Sequence, residues 1–518
     1  MSRPPLVPWP LRVALDGRAP LAGPLALVPD DARGVPASTA AWFAAELAHA
    51  ARDAVAPPGP GSTLVDVALD PDAVAHLPAA DGVEPGPEPV DERYVLVVEP
   101  DAVRLRAASR TGVLRGLATL VQLAAEQPGT LPLGHIEDGP RFRWRGLSLD
   151  VVRHPFTAAE VRAVVDLLAR YKLSVLHLHL TDSQAWRLPV PGRPRLGAGV
   201  AFTDDELTGL VEYAAERGVV VLPEADLPGH AAAALAAHPE LGPVPPHPML
   251  GHLGADHDAV PGFVRDVVAA LADLSPGPFV HVGGDEPFGM PEADYAEVVR
   301  GQLAAVHAAG RRAVVWQEAV RGGTLTPADV LQYWIGPENR PDADALKAQA
   351  PAELHPLVDQ AVAMFARAPG DVPAAVRAGV PVLVSTSDVL YLDRPYAEPA
   401  DDDAGEARRA RVGMPGYPAK TLRATFDWAP DTLPELDGAT LAGVEAAVWC
   451  ETVASFDDLA FLLLPRLAGV AERAWTTPTT PWDDHRARVV PHRALWRRTG
   501  WGAAYWPADS KTDEGALA

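Results

Sequence analysis

From Arg143 to about Trp475 one pattern repeats: a short apolar run, an amphipathic helical segment, then another apolar run. The candidate strands are Gly146–Asp150, Ser174–Leu180, Val219–Leu222, Phe279–Gly283, Arg312–Trp316, Val330–Trp334, Val382–Ser385 and Gly443–Trp449. The segments between them carry helix punctuation. Thr157 with Glu160, and Thr203 with Glu206, form capping boxes ahead of Val161, Val164, Val165 and Leu168, and of Leu207, Leu210 and Val211. Gly218 and Gly310 fall where a helix C-cap needs a left-handed residue. Strands that alternate with helices pair in parallel, and eight such units predict a closed (β/α)8 TIM barrel. A doubly wound open sheet is the alternative. Gly336–Val380 is long for a barrel connection and has helical patterns of its own, such as Leu357–Arg367, so it reads as an insertion near 337–380.

Upstream lie the β-like runs Thr63–Leu69, Tyr94–Val98 and Ala102–Ala107. A helical segment, Gly112–Glu126, follows with Val113, Leu117, Leu120 and Val121 on one face. These predict a smaller α/β domain over residues 1–138, with the barrel over 139–478. Proline clusters at Pro57–Gly61 and Val83–Val90 suggest stiff loops. Beyond Trp475 the chain turns polar, aromatic and irregular, which predicts a C-terminal tail over 479–518 whose last ten residues are disordered.

With 518 residues the chain can bury a large core. Its 68 acidic and 44 basic residues give a formal net charge of −24. That balance argues against nucleic acid or an anionic membrane as partner, since both need a basic surface. Cys450 is the one cysteine, so no intrachain disulfide can form. The opening MSRPPLVPWPLRVALDG shows no signal-peptide pattern, and no run approaches the roughly 18 apolar residues of a membrane span. A cytoplasmic location is the default expectation.

The barrel hypothesis places functional groups at the C-terminal ends of the strands. Those ends carry Arg153 and His154, Asp182, Asp226 and His230, Asp285 and Glu286, Trp316 and Glu318, Trp334, Tyr391 and Asp393, and Trp449 and Glu451. Carboxylates among indoles suit a neutral sugar, whose flat apolar faces pack on aromatic rings while its hydroxyls bond to carboxylates and arginine.

Asp285 and Glu286 stand side by side in HVGGDEP. Both can face one pocket only if the chain leaves strict β geometry, which Gly283 and Gly284 permit and Pro287 assists. Neighbouring carboxylates in a partly dry site resist ionising together, so one can stay protonated as an acid. A solvated acidic strand end and a metal site are the competing readings. His177 and His179 share a strand face and could begin a metal site. With Leu176, Leu178 and Leu180 facing the helices, they read instead as hydrogen-bonded core. Cys450, between Trp449 and Glu451, should turn away from the pocket.

These runs resemble glycoside hydrolase family 20, the β-N-acetylhexosaminidases. The likeness rests on RFRWRGLSLDVVRH, YKLSVLHLHLTDSQAWRL, VVVLPEADLPGHAAAAL, FVHVGGDEP, VVWQE, LQYW, YLD, AAVWCE and PRLAGVAERAW, in that order. YVLVVEPDAVRLRAASRTGVLRGLATLVQL resembles the α/β domain that precedes the family's barrel.

The resemblance implies a retaining exo-β-N-acetylhexosaminidase acting on small carbohydrates with a terminal β-GlcNAc or β-GalNAc. No metal, cofactor, nucleic acid or membrane is implied. Glu286 would be the general acid, Asp285 the carboxylate that orients the substrate's acetamido group, and Tyr391 the hydroxyl bonded to the acetamido carbonyl. The nucleophile would be the acetamido oxygen, an exception to the two-carboxylate rule. Arg153, Glu451 and Asp393 would hold sugar hydroxyls, and Trp316, Trp334 and Trp449 would wall the ring. Asp182 and His230 would form a relay behind the acid. The sequence departs from the family at Ser183, where a second aspartate is usual, at Ala185, where glycine is common, and at Ser174, where asparagine is. The alternatives are a sugar-binding protein that has lost catalysis and a metal-dependent barrel hydrolase built on His177 and His179.

Overall fold

The computed structural model of the chain describes residues 3–51, 62–245, 247–339, 341–477 and 479–508. The proline cluster at 57–61 and the last ten residues lie outside that range.

The N-terminal part is one mixed sheet. Its strands are β1 (Arg12–Pro20), β2 (Leu25–Ala26), β3 (Thr63–Leu69), β4 (Tyr94–Glu99), β5 (Ala102–Ala107) and β6 (Thr130–Asp138), in the spatial order β1-β6-β4-β5-β3-β2. Period-two burial in β4 sends Tyr94, Leu96 and Val98 to one face. There they meet Val113, Leu117, Leu120 and Val121 of the helix Arg110–Glu126. Gly116 lets the two surfaces approach, since a Cβ there would lie 2.3 Å from the Leu105 side chain.

The second part is a closed parallel barrel, which rules out the open sheet. Its strands are β7 (Trp144–Asp150), β8 (Val175–His179), β9 (Val220–Glu224), β10 (Phe279–His281), β11 (Arg312–Trp316), β12 (Val330–Tyr333), β13 (Val382–Val384) and β14 (Leu441–Val448). β14 closes on β7 in register from Gly443↔Trp144 to Val448↔Leu149. Both expected capping boxes form, at Thr157/Glu160 and Thr203/Glu206. Gly218 and Gly310 take left-handed backbone, at φ 64° and 70°. Outward residues such as Leu147, Leu149, Leu176 and Leu178 pack under the helices.

The interior fills in layers two residues apart along each strand. The lowest layer is apolar and takes one residue from every strand: Trp144, Val175, Leu222, Phe279, Val314, Val330, Leu383 and Ala442. Two residues further on, six of those strands present His177, Glu224, His281, Trp316, Gln332 and Ser385, while β14 contributes Glu445. β7 presents Gly146, where a Cβ would meet the Glu445 carboxylate at 2.2 Å, so glycine makes room for a buried charge. The sequence pattern thus turns from hydrocarbon to polar on the way up to the mouth.

One part of the chain differs from the sequence expectation. The stretch after Trp475, read as irregular, contains the helices Trp482–Val489 and His492–Arg498, with Trp496, Trp501 and Tyr505 buried. Helices this short show no clear period and are held by docking: Trp496 donates its indole N–H to the Tyr171 hydroxyl (2.7 Å), and Arg488 pairs with Glu472 (2.7 Å). The segment between β12 and β13 folds into the helices Ala343–Gln349, His355–Ala366 and Asp371–Ala378. Among the described residues no helix is long and apolar enough to cross a membrane.

The N-terminal sheet and the barrel are joined through Asp138. Its carboxylate accepts from the Tyr94 hydroxyl (2.7 Å), Lys172 Nζ (2.8 Å) and the Trp475 indole (2.9 Å). Lys172 is buried and has left-handed backbone, φ 59°. Removing one partner of such a pair leaves an uncompensated charge, which costs about 3–5 kcal/mol. Asp138→Ala should therefore lower the denaturant midpoint substantially, and an unfolding curve matching the native protein's would refute this.

Candidate active site

The mouth of the barrel is built around a departure from strand geometry. β10 stops at His281, and Gly283 and Gly284 then take φ of 72° and 114°. At Gly283 a Cβ would sit 1.9 Å from the Asp226 carboxylate, so only glycine fits, and Gly284 N–H donates to that same carboxylate (3.1 Å). Tyr295, on the helix Glu292–Ala308, clamps the turn by donating to Gly284 O (2.6 Å). Glu286 then takes φ 44°, a strained value for a non-glycine residue that costs on the order of 1–3 kcal/mol. The turn brings Glu286 and Asp285 to one cluster: His230 Nε2 lies 3.7 Å from Glu286 Oε2 and 3.8 Å from Asp285 Oδ1. His230 is itself left-handed, φ 49°, and Gly229 before it leaves room for the Asp285 carbonyl, which a Cβ would meet at 2.6 Å.

Charge in this cluster is unevenly shared. Burial holds Asp285 well above the usual carboxylate range, and the neighbouring Asp226 adds to that. Asp226 is raised as well, by burial and then by Glu224. Each carboxyl thus disfavours the ionised form of the other. Burial also raises Glu286, against the opposing pull of His230 and Arg153, which favours the protonated acid. His230 resists the effect of burial and is pushed up to about 9 by Asp182, Asp285 and Glu286. Its Nδ1 meets Asp182 Oδ1 at 3.2 Å. Asp182 is held well below the usual range despite burial, since His230 and Arg153 face it. Arg153 Nη2 sits 2.6 Å from Asp182 and 3.9 Å from Glu451, with its guanidinium over the Trp449 ring.

The other side of the cavity is aromatic. Trp334 and Tyr391 stack in parallel, 6.2 Å apart, and Trp449 meets Tyr391 edge-on at 5.8 Å. The Trp334 indole donates to Glu318 Oε2 (2.9 Å), and burial pushes Glu318 up to about 7. Trp316 lies deeper, fully buried, with its indole N–H on Glu224 Oε1 (2.8 Å) and its ring 5.9 Å from Trp449. Asp393, pushed to about 8 by burial and by Glu451, accepts from the Trp449 amide (3.5 Å). Asp285 Oδ1, Asp393 Oδ2 and His230 Nε2 are buried yet have no hydrogen-bond partner among the described residues, which equips them to receive polar groups of a ligand.

Asp182, His230, Asp285 and Glu286 form one connected cluster with Arg153, and Arg153 reaches Glu451. Trp316, Trp334, Tyr391 and Trp449 form one aromatic wall. His154 packs edge-on against Phe156 instead (4.5 Å). Cys450 is fully buried and its thiol is raised by burial, as expected of an inert residue. Ser174 takes a structural place, accepting from Arg145 N (3.0 Å) and donating to Arg143 O (2.8 Å). Sequence reading overlooked Tyr417, which packs edge-on against Tyr391 (6.1 Å), and the buried Glu224 and Glu445. A carboxylate two positions above an apolar inward residue, as Glu224 is above Leu222, was the available signal.

Three histidine–carboxylate groups bring candidate metal ligands within 4.8 Å of one another: His177–Glu224–His281, His179–Glu224–Asp226 and Asp182–Asp226–His230. Their atoms are largely engaged with one another. His177 Nδ1 is on Glu445 (2.8 Å), His179 Nδ1 on Glu224 (2.5 Å), and His179 Nε2 on Asp182 (3.0 Å). The donors fit a hydrogen-bonded charge network.

A parallel barrel with a carboxyl raised by burial, a second pair of raised, facing carboxyls and an aromatic wall at its C-terminal mouth defines a sugar-cleaving hydrolase. Residues 142–296 and 295–478 match the model of the glycosyl hydrolase family 20 catalytic domain, and residues 3–139 match that family's domain 2. A β-N-acetylhexosaminidase of Cellulomonas fimi is 39% identical over 447 residues, covering 80% of this chain and 82% of that protein. A β-hexosaminidase of Akkermansia muciniphila is 31% identical over 438 residues, covering 78% and 83%. The Streptomyces plicatus N-acetyl-β-hexosaminidase in complex with thio-NAglucal superposes with a TM-score of 0.76 at 30% identity, covering 96% of this chain and 95% of that one. The chain belongs to glycoside hydrolase family 20, and is a glycoside hydrolase of the β-N-acetylhexosaminidase type.

The facing of His230 and Glu286 gives a pH prediction. A nearby cation favours an ionised carboxyl, so His230 holds Glu286 lower than burial alone would. Removing it raises Glu286 further, and the acid form then persists to higher pH. His230→Gln should therefore reduce activity while moving the basic limb of the kcat/KM profile upward. A basic limb that stays put or moves down would contradict the hold of His230 on Glu286.

Proposed function

We propose that the enzyme removes terminal, non-reducing β-linked N-acetylhexosamine, GlcNAc or GalNAc, with retention, using the substrate's acetamido oxygen as nucleophile. The observation that carries this reading is the strained turn at Gly283–Glu286. It sets an acid raised by burial beside Asp285, whose carboxyl is raised by burial and by Asp226, with an aromatic wall opposite.

In the first step the acetamido oxygen attacks C1. The C1–O bond to the leaving group breaks, and the departing oxygen takes the proton of Glu286. Positive charge spreads over the oxazolinium ring as it closes. Asp285 faces the acetamido N–H and supplies the counter-charge, with Asp226 beside it. Tyr391, close enough to feel the charge of Asp285, donates to the acetamido carbonyl from the other side. In the second step Glu286, now a carboxylate, takes a proton from water as the water attacks C1, and the acetamido group is restored. His230 faces Glu286 through both steps and steadies its ionised form. Arg153, Asp393 and Glu451 hold the sugar hydroxyls, and Trp316, Trp334 and Trp449 enclose the acetamido methyl and the ring.

Rates on a panel of chromogenic β-glycosides test the reading: N-acetylhexosaminides should be cleaved and plain β-glucosides should not. Comparable rates on both would overturn it. Glu286→Gln should lose on the order of 10²–10⁴-fold, most on poorly activated leaving groups. Asp285→Asn should raise the barrier by about 3 kcal/mol and weaken a thiazoline-type inhibitor, because a preorganised counter-charge is gone. Near-normal turnover and inhibition in folded Asp285→Asn would exclude substrate assistance. A chelator should leave the wild-type rate unchanged, and its loss on chelation would favour a metal in the histidine cluster.

A further inference from the structure

Glu224 has no part in the chemistry above, yet two halves of the site meet on its carboxylate. It ends β9 and is fully buried. Oε1 accepts the Trp316 indole N–H at 2.8 Å and lies 2.8 Å from His281 Nδ1. Oε2 lies 2.5 Å from His179 Nδ1 and 3.2 Å from His177 Nε2. The other nitrogen of His179 is 3.0 Å from Asp182, and Asp182 holds His230, which faces the acid. One continuous chain therefore runs from the floor of the aromatic wall to Glu286: Trp316, Glu224, His179, Asp182, His230.

We infer that Glu224 is a positioning residue that couples the aromatic acetamido pocket to the relay of the general acid, so that seating the acetamido group and protonating the leaving group are not independent. The inference rests on the acid and pocket roles proposed above. Its physical basis is the two-oxygen geometry. Each oxygen serves a different half of the site, and a rigid carboxylate cannot turn to follow Trp316 without changing its contact with His179. The charge matters too. His179 has a carboxylate at each nitrogen, which favours the imidazolium and keeps Asp182 ionised toward His230. Charged or titratable groups facing Glu224 come from β8 (His177 and His179), from β10 (His281) and from its own strand end (Asp226), with Glu445 of β14 reached through His177. An amide at this position would offer one oxygen acceptor and turn its own N–H groups toward either the indole or an imidazolium.

The test is a leaving-group series read as kcat/KM on aryl N-acetyl-β-glucosaminides of graded phenol basicity. Trp316→Phe keeps a ring in place and removes only the indole N–H and part of its bulk. Trp316 is fully buried beneath the mouth, so as an independent pocket wall it loses rate equally across the series. Coupling through Glu224 predicts instead that Trp316→Phe loses at least fivefold more on the most basic leaving group than on the most activated one. Glu224→Gln should show the same skew, and adding Trp316→Phe to it should steepen the series no further. A uniform loss in Trp316→Phe overturns the coupling, and does so even if Glu224→Gln fails to fold. Glu286→Gln in the same series separates the two levels of the reading. If it too loses rate uniformly, the acid assignment falls and the coupling with it. If it is skewed while Trp316→Phe is not, the coupling alone falls.

Discussion

A closed barrel cannot admit enough water to solvate charges in its second interior layer, so those charges must satisfy one another. Here that layer contains Glu224, Glu445, His177 and His281, all fully buried. Glu445 is placed where Gly146 leaves room for it and accepts from the Trp144 indole (2.9 Å) below, from His177 (2.8 Å) beside it and from Gln332 (3.0 Å). Glu224 is satisfied in the same way by its imidazole and indole neighbours. With burial pulling the other way, these carboxylates push His177 up to about 9, while burial lowers His281, so the imidazolium charge of this layer sits on His177. Truncating any one member would strand a charge in a dry interior. The groups above this layer, His179, Asp182 and His230, inherit fixed positions from it, because each is held by the residue beneath.

The strain at the mouth follows from the same constraint. Asp226 occupies the space beside Gly283 and receives the Gly284 amide, so the chain cannot continue as a strand past His281. Turning there places consecutive carboxyls in one cluster where ideal β geometry would send them to opposite faces. Glu286 and His230, both left-handed, face each other across that turn, and the helix Glu292–Ala308 fixes it from behind. Tyr295 holds Gly284 O, and Gln302 holds the carbonyls of Leu227 (3.0 Å) and Val282 (2.9 Å). Strain is stored where the surroundings over-determine it, and here it raises the acid by keeping it among other carboxyls in a buried place.

Much of this is legible in the sequence. Barrel strands buried on both faces read as short apolar runs, and their ends fall within a residue or two of the sequence reading, as at Arg312–Trp316. The mouth residues were found because they follow those runs. The strands of the N-terminal sheet that escaped notice have a physical reason to. β1 is largely exposed and broken by Asp16–Gly17, and β6 carries Pro132 and Gly134, so neither shows clean alternation. The helix Ala37–Ala51 is built mostly of alanine, which marks no face. Glu224 and Glu445 were missed because a carboxylate within an apolar strand is interpretable only through partners on other strands. Those partners are set by barrel closure, which the local pattern does not encode. Tyr417 sits in the turn-rich GMPGYP, where nothing but tertiary packing sends it toward Tyr391.

The segment between β12 and β13 also acquires a reason in these contacts. Gln317 accepts from the amides of Trp334 (3.0 Å) and Ile335 (2.7 Å) and donates to Asp371 (3.2 Å). Asp371 opens the helix Asp371–Ala378 and pairs with Arg321 at 2.7 Å. The backbone of Trp334 is thus anchored through Gln317 to that segment, while its indole is anchored to Glu318. Both anchors lie on the turn that follows β11, so the pose of the ring that stacks on Tyr391 depends on a segment far from the acid in sequence. A charge change at Asp371 would be felt at Trp334 through one side chain, without any contact to Glu286. That gives the segment a path to the pose of Trp334 that does not pass through Glu286.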